Sequence, residues 1–381
     1  MEKIILIPGY FLFRKKQYKN TGISTYLETL LYCLKKVPSG YKYLILSKNN
    51  IDIIPDTENF VLEKVHFPVD NPFFRVLYEN LFLDSFVRET NKTIFHSPFI
   101  NLLIFNRIKN ILTVPDLSFF VYPENFVLPK SLYLRTISQI SLKKATKIIT
   151  ISKNTKTDII KYLNIPEKKI KVIYPAVRPF FHPISDTITL ENIGKKYQIN
   201  NKKIILYVGT LEPRKNIPVL IKSFCVLKKK FKIEHSLVLV GAKGWKYEEI
   251  FSLKETVGCN DIIFTGFVQE EDLPGIYNLA DVFVYPSLYE GFGLPVLEAM
   301  ACGTPVITSN TSSLPEVVGD AGILVDPSNI EELTDAIFRV ISNLSLKEEM
   351  RKKATEQAKK FSIEKMAKET ISIYKEIFDE I

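Results

Sequence analysis

Residues 287–308 read SLYEGFGLPVLEAMACGTPVIT, and they say more about fold and function than any other stretch of the chain. Glu290 and Glu298 stand eight positions apart, with a glycine-containing turn at 291–293 and the start of an apolar helix between them. Glycines let a backbone approach a ligand closely, the amino end of a helix favours phosphate, and carboxylates accept hydrogen bonds from hydroxyls. The segment predicts a pocket for a nucleotide sugar, although an ordinary strand, turn and helix with two surface glutamates has the same pattern.

The string YEGFGLPVLEAMACGTPVI within this stretch resembles the E-x7-E signature of the family-4 retaining glycosyltransferases. The resemblance implies the GT-B fold, an α/β architecture in which two doubly wound Rossmann-like domains face a cleft. It also implies that Glu290 lies beside the transferred hexose, as a positioning group rather than a base. Glu298 would then bind the ribose hydroxyls of the donor.

Bulk composition fits a two-domain protein of this kind. The chain has 381 residues, 46% of them hydrophobic and 24% charged, values typical of soluble globular proteins with a substantial core. The four cysteines are widely spaced and form no C-x-x-C pair, which argues against zinc and against a disulfide framework. No apolar run approaches the roughly 18 residues of a membrane span. The cysteine pattern suits a reducing compartment, so we expect a cytoplasmic protein that can associate with the cytoplasmic face of a membrane.

Charge is divided unevenly along the chain. Residues 1–180 hold 27 Lys and Arg against 14 Asp and Glu, whereas residues 181–381 hold 24 against 28. The basic excess of the first half suggests an anionic partner such as membrane lipid, a phosphorylated acceptor or nucleic acid, with compositional drift as the alternative. The loop 10–19 mixes aromatic side chains with four cations, a composition suited to a membrane interface. The alternative is that its aromatic residues pack in the core and its lysines are merely solvated.

Apolar runs and helical stretches alternate twice along the chain, which predicts parallel α/β layering. The strands of the first round are predicted at 3–8, 43–47, 93–97, 110–116, 147–152 and 171–177, and those of the second at 203–210, 236–241, 261–267, 281–287, 304–309 and 321–327. We expect an acceptor-binding domain over 1–180 and a nucleotide-sugar-binding domain over 181–360. The stretch 178–198 reads as the linker, and the resemblance implies that a last helix, 361–381, crosses back to the first domain.

The motif VGTLEPRKNI at 208–217 follows a predicted strand and opens a helix. Its adjacent cations Arg214 and Lys215 can neutralise a diphosphate and stabilise the charge that grows on it as a glycosidic bond breaks. The stretch is similar to the G-x-L-x-x-x-K-N motif of the same family, whose Arg and Lys hold the donor pyrophosphate. Solvated residues at a helix start are the alternative, although cations are unfavourable there.

Three residues of the first half are weaker candidates. Gly22, in NTGI, resembles the glycine motif of the family's first loop, though an ordinary helix start explains it as well. His96 ends a predicted strand and is expected to point into the cleft. The stretch 113–126 resembles one that usually reads T-x-H-D, but Pro115 stands at the histidine position and Asp116 remains. The hydrogen bond of that histidine would then be absent or come from another residue such as His96 or Asp116.

These motifs give a complete set of predicted site residues. The resemblance also places the backbone near Phe267 and Val268 against the nucleobase, although a core strand explains those two side chains equally well. The predicted catalytic residues are Glu290, Arg214, Lys215, His96 and Asp116. The predicted donor-binding residues are Gly22, Gly209, Arg214, Lys215, Phe267, Val268, Glu290, Gly291, Phe292, Gly293, Leu294 and Glu298.

Absent motifs narrow the chemistry further. No D-x-D triplet, H-E-x-x-H or G-x-x-x-x-G-K-[ST] occurs, so we expect no metal and no cofactor beyond the donor itself. The sequences of these motifs are similar to those of mannosyltransferases of surface-polysaccharide assembly. This similarity favours GDP-mannose as the donor and a glycan or lipid-linked molecule as the acceptor. Two alternatives remain: a nucleotide-sugar epimerase of the same fold, and a non-catalytic module that binds nucleotide sugar or nucleic acid. No nucleic-acid motif supports the latter, and we expect no nucleic-acid partner.

Overall fold

The computed structural model describes residues 2–10, 12, 22–48, 58–69, 71–83, 92–100, 108–126, 128–245 and 247–380. The chain divides into two compact units. The first comprises Met1–Ala176 together with Ser362–Ile381, and the second comprises Val177–Phe361. Most of the basic aromatic loop predicted at 10–19, including all four of its cations, lies outside the described residues.

The first unit contains a parallel sheet whose seven described strands follow the order β3-β2-β1-β4-β5-β6-β7. The strands are β1 Ile4–Pro8, β2 Lys42–Ser47, β3 Phe60–Lys64, β4 Thr93–Ser97, β5 Lys109–Val114, β6 Lys147–Thr150 and β7 Ile170–Val172. The α-helices of this unit are Gly22–Lys36, Pro72–Leu81, Ser118–Val121, Leu128–Lys144, Lys153–Leu163 and Ile363–Asp379. The last of these packs on the first, with Cys33 Sγ 3.8 Å from Met366 Sδ.

The second unit contains a parallel sheet whose six described strands follow the order β10-β9-β8-β11-β12-β13. The strands are β8 Ile204–Val208, β9 Ser236–Val240, β10 Ile262–Gly266, β11 Val282–Tyr285, β12 Val306–Ser309 and β13 Ile323–Val325. The α-helices are Thr187–Lys196, Ile217–Phe231, Glu248–Val257, Leu273–Asn278, Leu294–Ala301, Leu314–Val318, Ile330–Ser342 and Leu344–Ala358. Strands β8, β9 and β11 are buried along their whole length, as expected for a parallel sheet covered on both faces.

This architecture confirms the predicted α/β class with two doubly wound sheets, and one strand and one helix are examples of elements that were not predicted. Strand β3 lies at the edge of the first sheet, and its residues become exposed towards Lys64. The predicted linker 178–198 contains the helix Thr187–Lys196, which begins where the Asp186 carboxylate accepts a hydrogen bond of 3.0 Å from the Ile188 amide. None of the helices in the described part of the chain is long and apolar enough to cross a bilayer.

Candidate active site

The candidate site lies at the carboxyl edge of the second sheet, where the strand order reverses. Strand β8 is followed in sequence by β9 on one side, and its other neighbour is β11. Ligands of doubly wound sheets bind outside the carboxyl ends of strands at such a reversal. Arg214 and Lys215 lie on the short 3-10 turn Pro213–Lys215 that follows β8, and Glu290 lies beyond the end of β11. The fold therefore brings these three predicted residues together.

Both cations are paired with the Glu290 carboxylate. Lys215 Nζ donates to Glu290 Oε1 at 2.6 Å and to the Tyr285 hydroxyl at 2.7 Å. Arg214 Nη1 lies 3.2 Å from Glu290 Oε2, and its Nη2 lies 2.9 Å from Glu212 Oε1. Only 10% of the Lys215 side chain and 9% of the Glu290 side chain are exposed. Water therefore screens this ion pair weakly.

The protonation of Glu290 follows from this pairing. Burial alone raises the pKa of its carboxyl, but Lys215, Arg214 and the hydroxyl of Ser287, 2.6 Å from Oε1, outweigh burial and bring the pKa down to about 2. Burial lowers the pKa of Lys215, and Glu290 opposes that shift. Glu290 is therefore ionised at neutral pH and is too weak a base to take a proton from a sugar hydroxyl.

Two serines beyond β12 fix the turn that carries Glu290. Ser312 Oγ accepts the Glu290 amide at 3.0 Å, and Ser313 Oγ lies 2.9 Å from the carbonyl oxygens of both Glu290 and Phe292. Gly293 has φ +104°, and a Cβ at this position would lie 2.7 Å from Leu314 Cδ2. The turn thus needs glycine at 293 for both its backbone conformation and its packing.

The helix Leu294–Ala301 starts directly after this turn. The amides of Val296 and Leu297 both bond to the Gly293 carbonyl, at 3.0 and 3.2 Å. These two amides already have partners, so any effect of this helix on an anion would act through the helix dipole rather than through their hydrogen bonds. Leu294 opens the helix, and Gly291 lies buried in the turn before it.

Glu298 lies on the same helix and has different partners. Its Oε1 is 3.3 Å from Arg178 Nη2, and its Oε2 accepts the Tyr277 hydroxyl at 3.0 Å. Burial raises the pKa of Glu298, and Arg178 and Tyr277 only partly offset that rise. Glu290 and Glu298 are thus held in two different electrostatic environments, one with two cations and one with a single cation.

The remaining predicted donor-binding residues lie at the carboxyl ends of β8 and β10. A Cβ on Gly209 would lie 2.8 Å from the Tyr207 hydroxyl, so this position is closed to larger residues by packing. Beyond β10, Val268 is buried and Phe267 is 41% exposed. Phe267 is the residue of this pair whose side chain is open to solvent.

His96, in the first unit, is a correction to the sequence analysis. It lies on β4, whose residues are all buried, and its side chain is fully enclosed. Nδ1 is 2.6 Å from the Tyr374 hydroxyl, and Nε2 is 3.0 Å from Thr113 Oγ1. Burial lowers its pKa to about 3, so the ring is neutral. His96 therefore contributes to the core and does not point into a cleft.

Asp116 and Gly22, also in the first unit, have simple local surroundings. Asp116 Oδ1 accepts the Ser118 amide at 2.8 Å, at the start of the short helix Ser118–Val121. Gly22 is the exposed first residue of its helix, and an added Cβ would meet nothing within 4 Å. The two residues before it lie outside the described residues. The surroundings that are described do not require glycine at 22.

Several residues that shape the site were not predicted. They are Tyr285 and Ser287, which touch Lys215 and Glu290, and Arg178 and Tyr277, which touch Glu298. Ser287 could have been found because it stands three residues before Glu290 in the same loop. Arg178 carries no such signal.

Among the described residues, no cluster of three or more His, Cys, Asp or Glu side chains could hold a metal ion.

Two family models and several known proteins match the sequence of this chain. The family described as Glycosyltransferase Family 4 matches residues 20–179, and the family described as Glycosyl transferases group 1 matches residues 190–361. The O-antigen chain mannosyltransferase B of Escherichia coli is 37% identical over 292 residues, which are 76% of each chain. The serotype-specific mannosyltransferase WbdA of Escherichia coli is 32% identical over 237 residues, 61% of this chain and 29% of WbdA.

A solved structure shares the fold over its full length. Sucrose-phosphate synthase from Thermosynechococcus elongatus aligns with a TM-score of 0.81 over 100% of both chains, at 19% sequence identity. At that identity the likeness concerns the fold alone.

Proposed function

The chain belongs to the group 1, family 4 glycosyltransferases, and on this premise we propose that it transfers mannose from GDP-mannose to a glycan or lipid-linked acceptor of a surface polysaccharide. The transfer retains the anomeric configuration of the sugar and needs no metal ion. Two similar proteins are named as mannosyltransferases, one of them of the O-antigen chain, which supports both the sugar and the kind of acceptor.

The observation that carries this proposal is the pairing of Arg214 and Lys215 with Glu290 at the carboxyl edge of β8 and β11. A donor diphosphate that enters here takes the place of the carboxylate as partner of the two cations. Their positive charge then offsets the negative charge that grows on the leaving diphosphate. Glu290, released from the cations, accepts a hydrogen bond from the hexose.

Proton transfer in this scheme does not involve a basic side chain. Glu290 is engaged as the hydrogen-bond acceptor of the hexose, and His96 is enclosed in the core. A donor phosphate oxygen therefore takes the proton of the acceptor hydroxyl, on the face from which the nucleotide departs. Attack on that same face accounts for retention. Glu298 holds the ribose hydroxyls throughout and contributes to ground state and transition state alike.

Donor identity is tested by thermal denaturation with GDP-mannose, GDP-fucose, UDP-glucose, UDP-N-acetylglucosamine and ADP-glucose. A ligand at 100 times its Kd should add about 2.7 kcal/mol to the stability. We expect the largest shift with GDP-mannose, unchanged by EDTA. Proton NMR of the product formed with a mannose-terminated acceptor should show an α-linkage from the α-linked donor. A larger shift with another nucleotide sugar, loss of turnover in EDTA, or an inverted linkage contradicts the corresponding part of the proposal.

The proposal places the enzyme in the cytoplasm, at an anionic membrane surface. The excess of 27 Lys and Arg over 14 Asp and Glu in residues 1–180 supports this placement. Basic residues near an anionic bilayer each contribute about 1 kcal/mol to binding. A lipid-linked acceptor would be met at that surface.

A further inference from the structure

We propose that Arg178 is a positioning residue for the donor: its guanidinium holds Glu298 in the orientation that accepts the ribose hydroxyls. The inference rests on the proposed function, because it takes the ribose of a nucleotide as the ligand of Glu298. Arg178 lies in the stretch predicted only as a linker, and no motif of the sequence points to it.

The guanidinium of Arg178 is fixed by contacts on its edge and on its faces. Its Nη2 lies 3.3 Å from Glu298 Oε1, and its Nη1 forms an ion pair with Glu270 Oε1. Its central carbon lies 4.8 Å from the ring centre of Phe180 and 5.3 Å from that of Phe181. Only 11% of the side chain is exposed. A planar guanidinium held in this way directs its donors with little freedom.

The second oxygen of Glu298 is held from another element. Tyr277, on the helix Leu273–Asn278, donates its hydroxyl to Oε2, and its ring packs edge-on against Phe181 with centres 6.0 Å apart. Phe181 thus contacts both residues that hold the carboxylate. A carboxylate offers about four acceptor positions. Each oxygen of Glu298 therefore keeps capacity for one of the two ribose hydroxyls.

Arg178 also favours the ionised form of the Glu298 carboxyl. The charged and titratable groups around Glu298 are Arg178, Tyr277 and Cys302, with Glu270 on the far side of the guanidinium. Arg178 is the one cation among them. Burial already raises the pKa of Glu298, so loss of Arg178 would raise it further. A protonated carboxyl has lost part of its capacity to accept hydrogen bonds from hydroxyls.

The link to Glu270 extends the effect towards the base. Glu270 lies on the 3-10 turn Glu270–Asp272, directly after the segment with Phe267 and Val268 that is predicted to meet the nucleobase. Arg178 therefore joins the element that binds ribose to the element that binds the base. We expect the two parts of the nucleoside to be recognised together rather than independently.

The test is calorimetric titration with GDP or UDP, whichever the wild-type protein binds more tightly, and with its 2′-deoxy and 3′-deoxy forms. Arg178→Met should weaken binding of the ribonucleotide about 10- to 100-fold, the range for lost hydrogen bonds to a charged group. It should weaken binding of each deoxy form by a smaller factor, because each has one hydroxyl fewer for Glu298 to hold. The loss should also grow as the pH is lowered, because without Arg178 the carboxyl of Glu298 protonates more readily.

Three further variants make the outcome decisive. Glu298→Gln should show the same dependence on the ribose hydroxyls. Arg178→Lys, which keeps the charge but not the planar fork, should give a smaller loss and serves in the comparison if Arg178→Met does not fold. Lys347→Met is the matched control, since Lys347 is a mostly buried cation paired with Asp281, and it should lower the Tm without any ribose dependence.

Equal weakening of the ribonucleotide and deoxynucleotides in both Arg178 variants would overturn the inference and leave the residue a structural one. If Glu298→Gln also lacks ribose dependence, the ribose assignment in the proposed function fails as well. Absence of nucleotide binding by the wild-type protein would contradict the proposed function itself.

Discussion

Replacing Glu290 by Gln should have two opposite effects: it should destabilise the free protein and tighten nucleoside diphosphate binding. In the free protein the Glu290 carboxylate neutralises Lys215 at 2.6 Å and Arg214 at 3.2 Å. The substitution keeps the shape of the side chain and removes its charge. Lys215 is then left without its counter-charge and Arg214 keeps its ion pair with Glu212, so a diphosphate supplies the missing negative charge.

The size of the effect follows from the burial of the pair. The Lys215 and Glu290 side chains are 10% and 9% exposed, and removing one partner of a buried pair costs about 3–5 kcal/mol. The amide of the variant still accepts a hydrogen bond from Lys215, so we take the lower end, about 3 kcal/mol. This corresponds to a fall in Tm of about 6–12 °C for a domain of 150–250 residues. If diphosphate restores half of this energy, binding tightens by about tenfold.

The assay combines thermal denaturation with calorimetric titration of GDP or UDP in a buffer free of phosphate and sulfate. Lys215→Met combined with Glu290→Gln is the matched control, because replacing both partners removes the uncompensated charge. It should regain part of the lost stability but not bind diphosphate more tightly. An unchanged Tm in Glu290→Gln together with weaker diphosphate binding would refute the reasoning.

Two more predictions follow from the same structure, and a third follows from the sequence. Because the folded pKa of Glu290 is about 2 against an ordinary 4.5, its stabilising effect should be complete above pH about 4.5 and vanish as the pH falls towards 2; acid unfolding of wild type and Glu290→Gln measures this. His96→Leu should lower stability by about 2–4 kcal/mol, since two buried hydroxyls lose a partner, while kcat of the folded fraction changes less than twofold; a large loss of kcat would contradict its core role. In co-sedimentation assays the protein should bind anionic but not neutral vesicles. This binding should weaken as the salt concentration rises and when Arg14, Lys15, Lys16 and Lys19 are all changed to Gln.

The sequence was sufficient for the layered fold because the buried strands are continuous apolar runs. The predicted strand 203–210 is observed as Ile204–Val208, and the predicted strand 281–287 as Val282–Tyr285. Strand β3 escaped prediction because an edge strand needs little apolar surface, and Phe60–Lys64 ends in two charged residues. The helix Thr187–Lys196 escaped because Gly194 is its one buried residue and its apolar face is limited to the half-buried Leu190 and Ile193.

The site residues that directly follow a strand could be predicted from the sequence. Cations after one strand and a carboxylate after another meet at one edge of a parallel sheet, and Lys215 and Glu290 do so. Burial is harder to infer. His96 lies on a strand covered on both faces, so alternation could not show that its ring lies in the core. The contact between Arg178 and Glu298 joins residues 120 positions apart, and only the folded chain brings them together.

The helix Ile363–Asp379 completes the first unit only after the whole second unit has been translated. The ribosome releases the chain from its amino end, so the first unit cannot be completed before the second unit has emerged. The usual order, in which an amino-terminal domain folds first, should therefore be reversed. Until this helix emerges, His96 lacks the Tyr374 hydroxyl and Cys33 lacks Met366. The nascent first unit then has the seven strands of its sheet but lacks this helix and should need protection from aggregation, while Val177–Phe361 has every residue it needs to fold. A stop codon shortly before residue 363 should therefore spare the second unit and leave the first one without a finished core.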